Sequence, residues 1–462
     1  MPKIIIREND YTQAGTPDYS NSTVLIAGFA KDGVEKGKVF ELSTQKDFVD
    51  EVSNIEPFTE TTGTDGKNTK TVKSYGNKIA YELLGLGYPV IYKVITDVAD
   101  MEKDDFWEEF KDKASYDFRY IMTGLLTDNK KANDQIIALA NFDAKAAETD
   151  IFSTGRGDCI ALCDIDKTKE AVTEIIKNSA TKATKESEAT TQESTSTESG
   201  STPNESEAAG GESENNTNES GNATKYSAVT ASKYAAYFAP SFCIKGYESP
   251  KNSKGEAIYA DNIFPASFYY LACAKRASLN NFDEWFAVAG YTRGVADFAI
   301  ASTSTNYGEI AIHKLQARTA TGSDVDSDIA VNLIANFRGN YYLWGNRTAE
   351  KLDKELKASH FLNIRQLCTT LKKQIYVACR RFTFDPNSDV LWINFCNAIT
   401  PTLERMKNNQ GIENFVIERV DTDLKATLKA KIRITPIEAV EDFDIELALE
   451  DSMGTTNANI SE

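Results

Sequence analysis

The chain reads as a multidomain protein of α/β and α+β class, and three observations carry that reading. Helical and strand-like runs alternate from residue 98 to residue 335, which favours a mainly parallel sheet flanked by helices. Further on, Leu424, Ala426, Leu428, Ala430, Ile432 and Ile434 alternate with lysine, arginine and threonine, the pattern of an amphipathic strand with one wet face. Each end of the chain also holds an apolar strand with no sequence neighbour to pair with. One is Ile4, Ile5 and Ile6. The other is "VEDFDIELALED", where Phe443, Ile445, Leu447 and Leu449 share one face and Asp444 and Glu446 the other.

Taken in order, residues 1–22 form an N-terminal arm in which the isoleucine strand precedes a stretch of turn formers. Residues 23–97 form a compact block. "STVLIAGFA" is a buried strand broken at Gly28, "GKVFELS" a second strand, and Ser43 or Thr44 a cap before the helix "STQKDFVDEV". "ETTGTDGKNTKT" reads as a polar loop, "GNKIAYELLGLG" as an amphipathic helix ending at a glycine, and "YPVIYKVIT" as a strand.

In residues 98–335 the expected order is helix "MEKDDFWEEFKDK", strand "FRYIMTG", helix "KKANDQIIALANFDAKA", strand "DCIALCDI" and helix "TKEAVTEIIKNSATK", then "KYAAYFAPS" and the helix "PASFYYLACAKRASL". An acidic Ser/Thr-rich insertion, 182–225, interrupts them. Alanine is its only apolar residue, so it cannot bury enough surface to offset chain entropy and is expected to be disordered.

Residues 336–440 form a C-terminal block. A strand ends at Gly345, and a long helix repeats Ile364, Leu367, Leu371, Ile375 and Cys379 at three- and four-residue steps. Pro386 enforces a turn, Asn387 or Ser388 caps a second helix, and strand-like "NFVIERV" and "DLKATLKAKIRIT" follow. Residues 441–462 hold the terminal strand and a polar tail.

The 462 residues are 41% hydrophobic, ample for a packed core, and no run approaches the ~20 apolar residues needed to cross a bilayer. "MPKIIIREND" is too short and too charged for a signal peptide, so a soluble protein made in a cytoplasm is expected. The net charge of −18 argues against a nucleic-acid partner, which needs a basic face. The seven cysteines are scattered without a Cys-x-x-Cys pair and are expected as reduced core thiols rather than a metal or disulfide framework.

No chemistry-bearing constellation emerges. "GRGDCI" opens a strand rather than a helix and so fails as a phosphate cradle. His313 and His360 stand alone, with no glycine-framed serine to serve, and His360 reads as a polar residue at a helix start. Asp164 and Asp166 sit at a strand's C-terminal end, where α/β active sites often lie, but without a basic or metal-binding companion they read as caps. The expectation is no enzyme, no cofactor and no metal.

Several stretches in order resemble a contractile phage tail sheath protein. "NSTVLIAGFAKDGVEKGKVFELSTQKDFVDEV" with "YGNKIAYELLGLGYPVIYKVI" resembles the family's opening, and "DCIALCDI" with "KYAAYFAPS" resembles paired strands of its subtilisin-like α/β domain. "GNYYLWGNRT" resembles a strand ending in a Trp-Gly-x-Arg-Thr signature (Trp344, Gly345, Arg347, Thr348). "FLNIRQLCTTLKKQI" resembles the following Asn-x-Arg helix (Asn363, Arg365). "FTFDPNSDVLW" resembles a Phe-x-Pro-Asn turn leading to a tryptophan-bearing helix (Phe384, Pro386, Asn387, Trp392).

The resemblance implies a subtilisin-like domain without protease chemistry, inserted before a C-terminal sheath domain. It also implies that the two terminal strands are arms exchanged between subunits by β-augmentation. Hexameric rings stacked helically around a tail tube, with baseplate and tail terminator proteins as partners, and a place in a virion tail after assembly in the host cytoplasm, follow from the same resemblance. Folding back of the C-terminal strand onto its own domain would bury the same face and stays open. The sheath of a phage-tail-like bacteriocin or extracellular injection system, a hydrolase on the subtilisin-like fold, and a monomeric adhesion protein are the alternatives.

Overall fold

The computed structural model describes residues 22–52, 58–62, 68–72, 74–125, 129–143, 146, 153–165, 230–244, 247–251, 257–259, 263–295, 299–300, 329–351, 356–421 and 426–440. Both terminal strands, the insertion 182–225, the helix expected at "TKEAVTEIIKNSATK", and Asp166, His313 and Leu424 lie outside the described residues.

The first strands and helices are β1 (Val24–Gly28), β2 (Val39–Leu42), α1 (Gln45–Glu51), β3 (Phe58–Thr62), β4 (Asn68–Val72), α2 (Gly76–Gly85), β5 (Val90–Val94), β6 (Tyr120–Met122), α3 (Lys130–Ala140) and β7 (Ile160–Asp164). Then come β8 (Ala235–Ala239), β9 (Phe242–Ile244), β10 (Ile263–Phe264), α4 (Ala266–Leu279), α5 (Gly290–Arg293), β11 (Ala299–Ile300), β12 (Val331–Phe337) and β13 (Asn340–Trp344). The chain continues through α6 (Leu362–Arg381), α7 (Asp389–Asn408), β14 (Ile412–Val420) and β15 (Lys429–Pro436).

Eight strands form one sheet in the order β13-β12-β8-β7-β6-β1-β5-β2, with parallel pairing from β12 through β5 and antiparallel pairing at its two ends. The mainly parallel sheet read from the alternation is therefore present, and it takes strands from the blocks 23–97, 98–335 and 336–440 alike. Successive β1 residues face opposite cores. Val24 and Ile26 join a cluster with α2 and α4, whereas Leu25 and Ala27 join one with Trp107, Phe110 and α3. A parallel sheet covered on both faces needs such continuous apolar strands. The first turn of α2 packs so close to β1 that a Cβ on Gly76 would lie 2.2 Å from the Ala27 carbonyl oxygen, a contact only glycine permits.

Four local expectations need correction. The stretch read as a polar loop contains a hairpin, β3 paired antiparallel with β4 from Phe58↔Val72 to Thr62↔Asn68. Its threonines are polar yet β-branched, and the second property decides the backbone. "MEKDDFWEEFKDK" forms two short 3₁₀ turns, Val98–Glu102 and Glu108–Lys111, rather than one α-helix. There the Asp97–Asp100 capping box closes the first turn, and Phe106, Trp107 and Phe110 turn into the second core. The helix starting at Lys130 ends at Ala140, short of the run expected to reach Ala146. Not all thiols are core thiols. Cys159, Cys163 and Cys273 are buried, Cys243, Cys368 and Cys396 half-buried, and Cys379 exposed on the last turn of α6.

The C-terminal region is helix on ribbon. α6 and α7 form an antiparallel hairpin, and β14 and β15 pair antiparallel across it, with Phe415↔Ile434 and Ile417↔Ile432 in register. Ser388 caps α7 by accepting the Leu391 N–H, as its position after Pro386 suggested. A third core holds the unit together through Trp285, Leu367, Leu371, Phe395, Leu403 and Ile412.

Candidate functional site

Two sets of signature residues occupy opposite ends of α6. The first set forms a latch between the sheet and that helix. β13 ends at Trp344, and at Gly345 an added Cβ would meet Asn332 at 2.7 Å, so the chain passes flush against β12. Buried Asn332 fixes the next turn, accepting from the Arg347 N–H at 2.8 Å and donating to the Arg347 carbonyl at 2.9 Å. Asn346 and Asn363 clasp each other: Asn346 Nδ2 donates to Asn363 Oδ1 at 2.8 Å, and the Asn363 N–H donates to Asn346 Oδ1 at 3.1 Å. Asn363 Nδ2 also donates to the Trp285 carbonyl at 3.0 Å. Thr348 Oγ1 donates to the Ser359 carbonyl, and the Arg347 guanidinium lies 4.5 Å from the Phe361 ring centre.

Beyond the latch, α6 is bolted to the sheet by polar side chains that the apolar repeat did not reveal. Fully buried Arg119 donates to Thr370 Oγ1 at 2.6 Å and to Gln366 Oε1 at 3.3 Å. Gln366 Nε2 donates to the hydroxyls of Tyr120 and Tyr270, each at 2.9 Å. Lys373 pairs with Asp117 and donates to the Phe118 carbonyl at 2.9 Å. Arg365 stacks on Tyr234, and Lys372 donates to the Gly157 carbonyl, with burial and the neighbouring Arg365 charge pulling its ammonium down to about 8. A signal was available in the sequence. Gln366, Thr370 and Lys373 recur at four- and three-residue steps, the spacing of one helix face.

The second set lies at the far end of α6. Phe384, fully exposed, takes a left-handed φ of 75° in the break, and Pro386 is exposed beside it. Asn387 Nδ2 donates to the Thr427 carbonyl at 3.2 Å, tying the break to the approach of β15. Trp392 is half-buried and stacks on Phe395 with ring centres 5.8 Å apart. The two sets are thus not one site: the first anchors the helix, and the second shapes its tip.

At that tip lies an apolar groove of about 480 Å³, walled by Ile375 and Phe382 of the α6 side, Leu391 and Phe395 of α7, and Ala430 and Ile432 of β15. The ribbon's inner face, Phe415, Ile417, Ala430, Ile432 and Ile434, packs toward the third core. Its outer face presents Lys429, Lys431 and Arg433 to solvent. Among the described residues β15 pairs only with β14, which leaves its other edge as a row of strand N–H and C=O groups beside the groove.

Of the residues weighed for catalysis, the two that are described, Asp164 and His360, have structural partners. Asp164 accepts from the Ser267 N–H at 2.9 Å and bonds the Ser267 hydroxyl, capping α4, and burial raises its carboxyl to about 7. Buried His360 accepts the Lys357 N–H at Nδ1, in the 3₁₀ turn before α6. Among the described residues no three His, Cys, Asp or Glu side chains gather as a metal site, and no helix is long and apolar enough to cross a membrane.

Comparison with known proteins agrees with this architecture. Residues 356–450 match the family model of the phage tail sheath C-terminal domain. The fold is similar to that of a chain in the six-fold symmetrised cryo-EM structure of the anti-feeding prophage baseplate, at 12% identity and a TM-score of 0.57 over 98% of this chain and 99% of that one. It is also similar to the sheath complex of an extracellular contractile injection system, PVC, in the contracted state, at 12% identity and a TM-score of 0.58 over 97% and 98%. The contracted helical sheath of the anti-feeding prophage gives 13% identity and a TM-score of 0.55 over 97% and 99%. At such identities the likeness is one of fold. No curated protein sequence matches the chain.

Proposed function

We infer that this chain, whose residues 356–450 match the family model of the phage tail sheath C-terminal domain, is a structural subunit of a contractile sheath. The domain match carries the reading, and a fold shared with sheath proteins of contractile injection systems over nearly the whole chain supports it. The protein acts by assembly rather than by turnover. Copies stack as hexameric rings around a tail tube, and the stack shortens and widens to drive the tube through an envelope.

In this reading the arms 1–22 and 441–462 lend Ile4–Ile6 and residues 443–449 to neighbouring subunits. Main-chain hydrogen bonds give affinity and alternating side chains fix register. The segments 10–22 and 436–442 act as hinges between nearly rigid bodies. The α/β body around 98–335, subtilisin-like in the family resemblance, faces outward with its insertion, and the block 336–440 faces the tube. Baseplate and terminator proteins close the two ends.

Negative-stain electron microscopy of the purified protein tests the assembly: tubular polymers are expected, and a monomer at every concentration would speak for the adhesion alternative. The sheath of an extracellular injection particle fits the chain as well as that of a phage tail. The neighbouring genes separate the settings, since a capsid and a terminase mark a complete phage. Covalent labelling by a serine-directed probe would instead favour the hydrolase reading.

A further inference from the structure

We propose that Lys113, Lys233, Arg365 and Lys372 form a binding site for one small phosphate-class oxyanion, held beside the rings of Tyr234 and Phe142 where α6 meets the sheet. The site lies within a single chain and does not depend on assembly.

Separate segments bring the cations together. Lys113 follows the second 3₁₀ turn, Phe142 follows α3, and Lys233 and Tyr234 lead into β8. Arg365 and Lys372 stand two turns apart on one face of α6. The Arg365 guanidinium carbon lies 4.6 Å from the centre of the Tyr234 ring, with Lys372 Nζ at 4.9 Å and Lys233 Nζ at 5.5 Å. Lys113 and Lys372 approach the Phe142 ring to 5.9 and 6.0 Å. On a chain of net charge −18, so many cations around two rings form a local exception.

The cluster offers donors and no acceptor. Arg365 is only 7% exposed, yet its Nε meets no acceptor, and no carboxylate pairs with its guanidinium among the described residues. A guanidinium stripped of water ordinarily has such a partner, because its N–H groups are costly to leave unbonded. Half-buried Lys113 and Lys233 likewise have no hydrogen bond or ion pair from their ammonium groups among the described residues. Lys372 donates to the Gly157 carbonyl at 2.8 Å and to the Tyr234 hydroxyl at 3.2 Å, and that hydroxyl has no acceptor for its own proton among the described residues. The neighbouring carboxylate, Asp158, is held by Arg156 at 2.9 and 3.3 Å. Burial first, and then the Arg365 charge, pulls the Lys372 ammonium down to about 8. Burial also lowers Lys113, with Arg156 and Lys372 adding to it.

Depth and chemistry select the ligand. A compact, multiply charged group with several acceptor oxygens answers this set: the guanidinium fork takes two oxygens, and the ammonium groups and the Tyr234 hydroxyl take the others. The enclosure of Arg365 suits a phosphate ion, or the terminal group of a phosphate ester, rather than a peptide segment. Bound there, the anion ties Arg365 and Lys372 of α6 to Lys113 and Lys233 on the sheet side and so tightens the clamp on the helix root.

Isothermal titration of the full-length chain tests the site, with inorganic phosphate in one arm and glycerol phosphate in the other, at matched ionic strength. One saturable equivalent is expected, and the tighter ligand separates the free ion from the ester. K113Q/K233Q should bind about tenfold more weakly. Lys233→Gln adds a reading of sign. Without phosphate it should melt at or above the wild-type temperature, since it relieves repulsion and breaks no bond. In saturating phosphate it should melt below wild type, because the ligand stabilises only the chain that binds it well. No saturable binding, equal affinity of wild type and K113Q/K233Q, or an equal rise in melting for both proteins would overturn the site. A fall in melting of Lys233→Gln without phosphate would make that lysine a structural contact and overturn it as well.

Discussion

Asp164 shows how one buried side chain ties stability to pH. It sits where β7 ends and α4 begins, its carboxyl raised to about 7 by burial against an ordinary 3.8. The folded protein therefore holds that proton more tightly than the unfolded chain. The stabilisation is fully present below about pH 4 and is lost as pH rises through 7. Asp164→Asn keeps the cap on Ser267 and removes the ionisation, so the variant should melt several degrees higher at pH 8, with the gain fading by pH 4. A constant gain across that range, read by thermal scans, would remove burial of the charge as its cause. Asn363 presents the opposite case. Replacing it with alanine strands Asn346 and the Trp285 carbonyl inside the latch, and should cost about 2–4 kcal/mol in a denaturant titration.

At the scale of elements, α6 shows what was legible and why. Its apolar stripe was readable because hydrophobic side chains recur with the helical period whatever they touch, and Leu367 and Leu371 do lie in the third core. Its polar bolts are not legible, because Gln366, Thr370 and Lys373 look like a solvated face until the sheet supplies Arg119, Tyr120 and Asp117 from 246 to 256 residues away. The buried β-strands were plain for the same reason as the stripe. The β3–β4 hairpin is hidden by the polarity of threonines whose β-branching sets the backbone, and the 3₁₀ turns by acidic runs that imitate helix starts. The signature motifs were seen as landmarks, but that they divide into an anchor and a tip follows only from packing. Gln366→Leu should therefore destabilise despite its added apolar volume, by about 1–3 kcal/mol, since Arg119 and two tyrosine hydroxyls lose a partner. Urea unfolding at unchanged m-value checks it.

At the scale of the whole molecule, the proposed couplings lie in the arms. Deleting residues 1–10 should leave a folded monomer, with unchanged melting, that no longer forms tubes by electron microscopy. Tubes of normal length from the truncated chain would defeat linkage through the N-terminal strand. Limited proteolysis of assembled particles should cut first within 182–225, where the composition offers little to bury, and protection of that segment would contradict an outward placement.

The two unlike halves of α6 carry a mechanical consequence. Residues 362–371 are almost wholly enclosed against the sheet, while 374–381 emerge toward solvent with the groove at their end. A twenty-residue helix is about 30 Å long, so α6 is a lever with its root clamped on the sheet and a tip roughly 15 Å beyond it that packs on α7 and the ribbon. Tilting the body by about 10° swings that tip by nearly 3 Å, on the order of half the spacing between paired strands. Any rotation at the sheet is thereby delivered, enlarged, to the helix and ribbon packed on that tip.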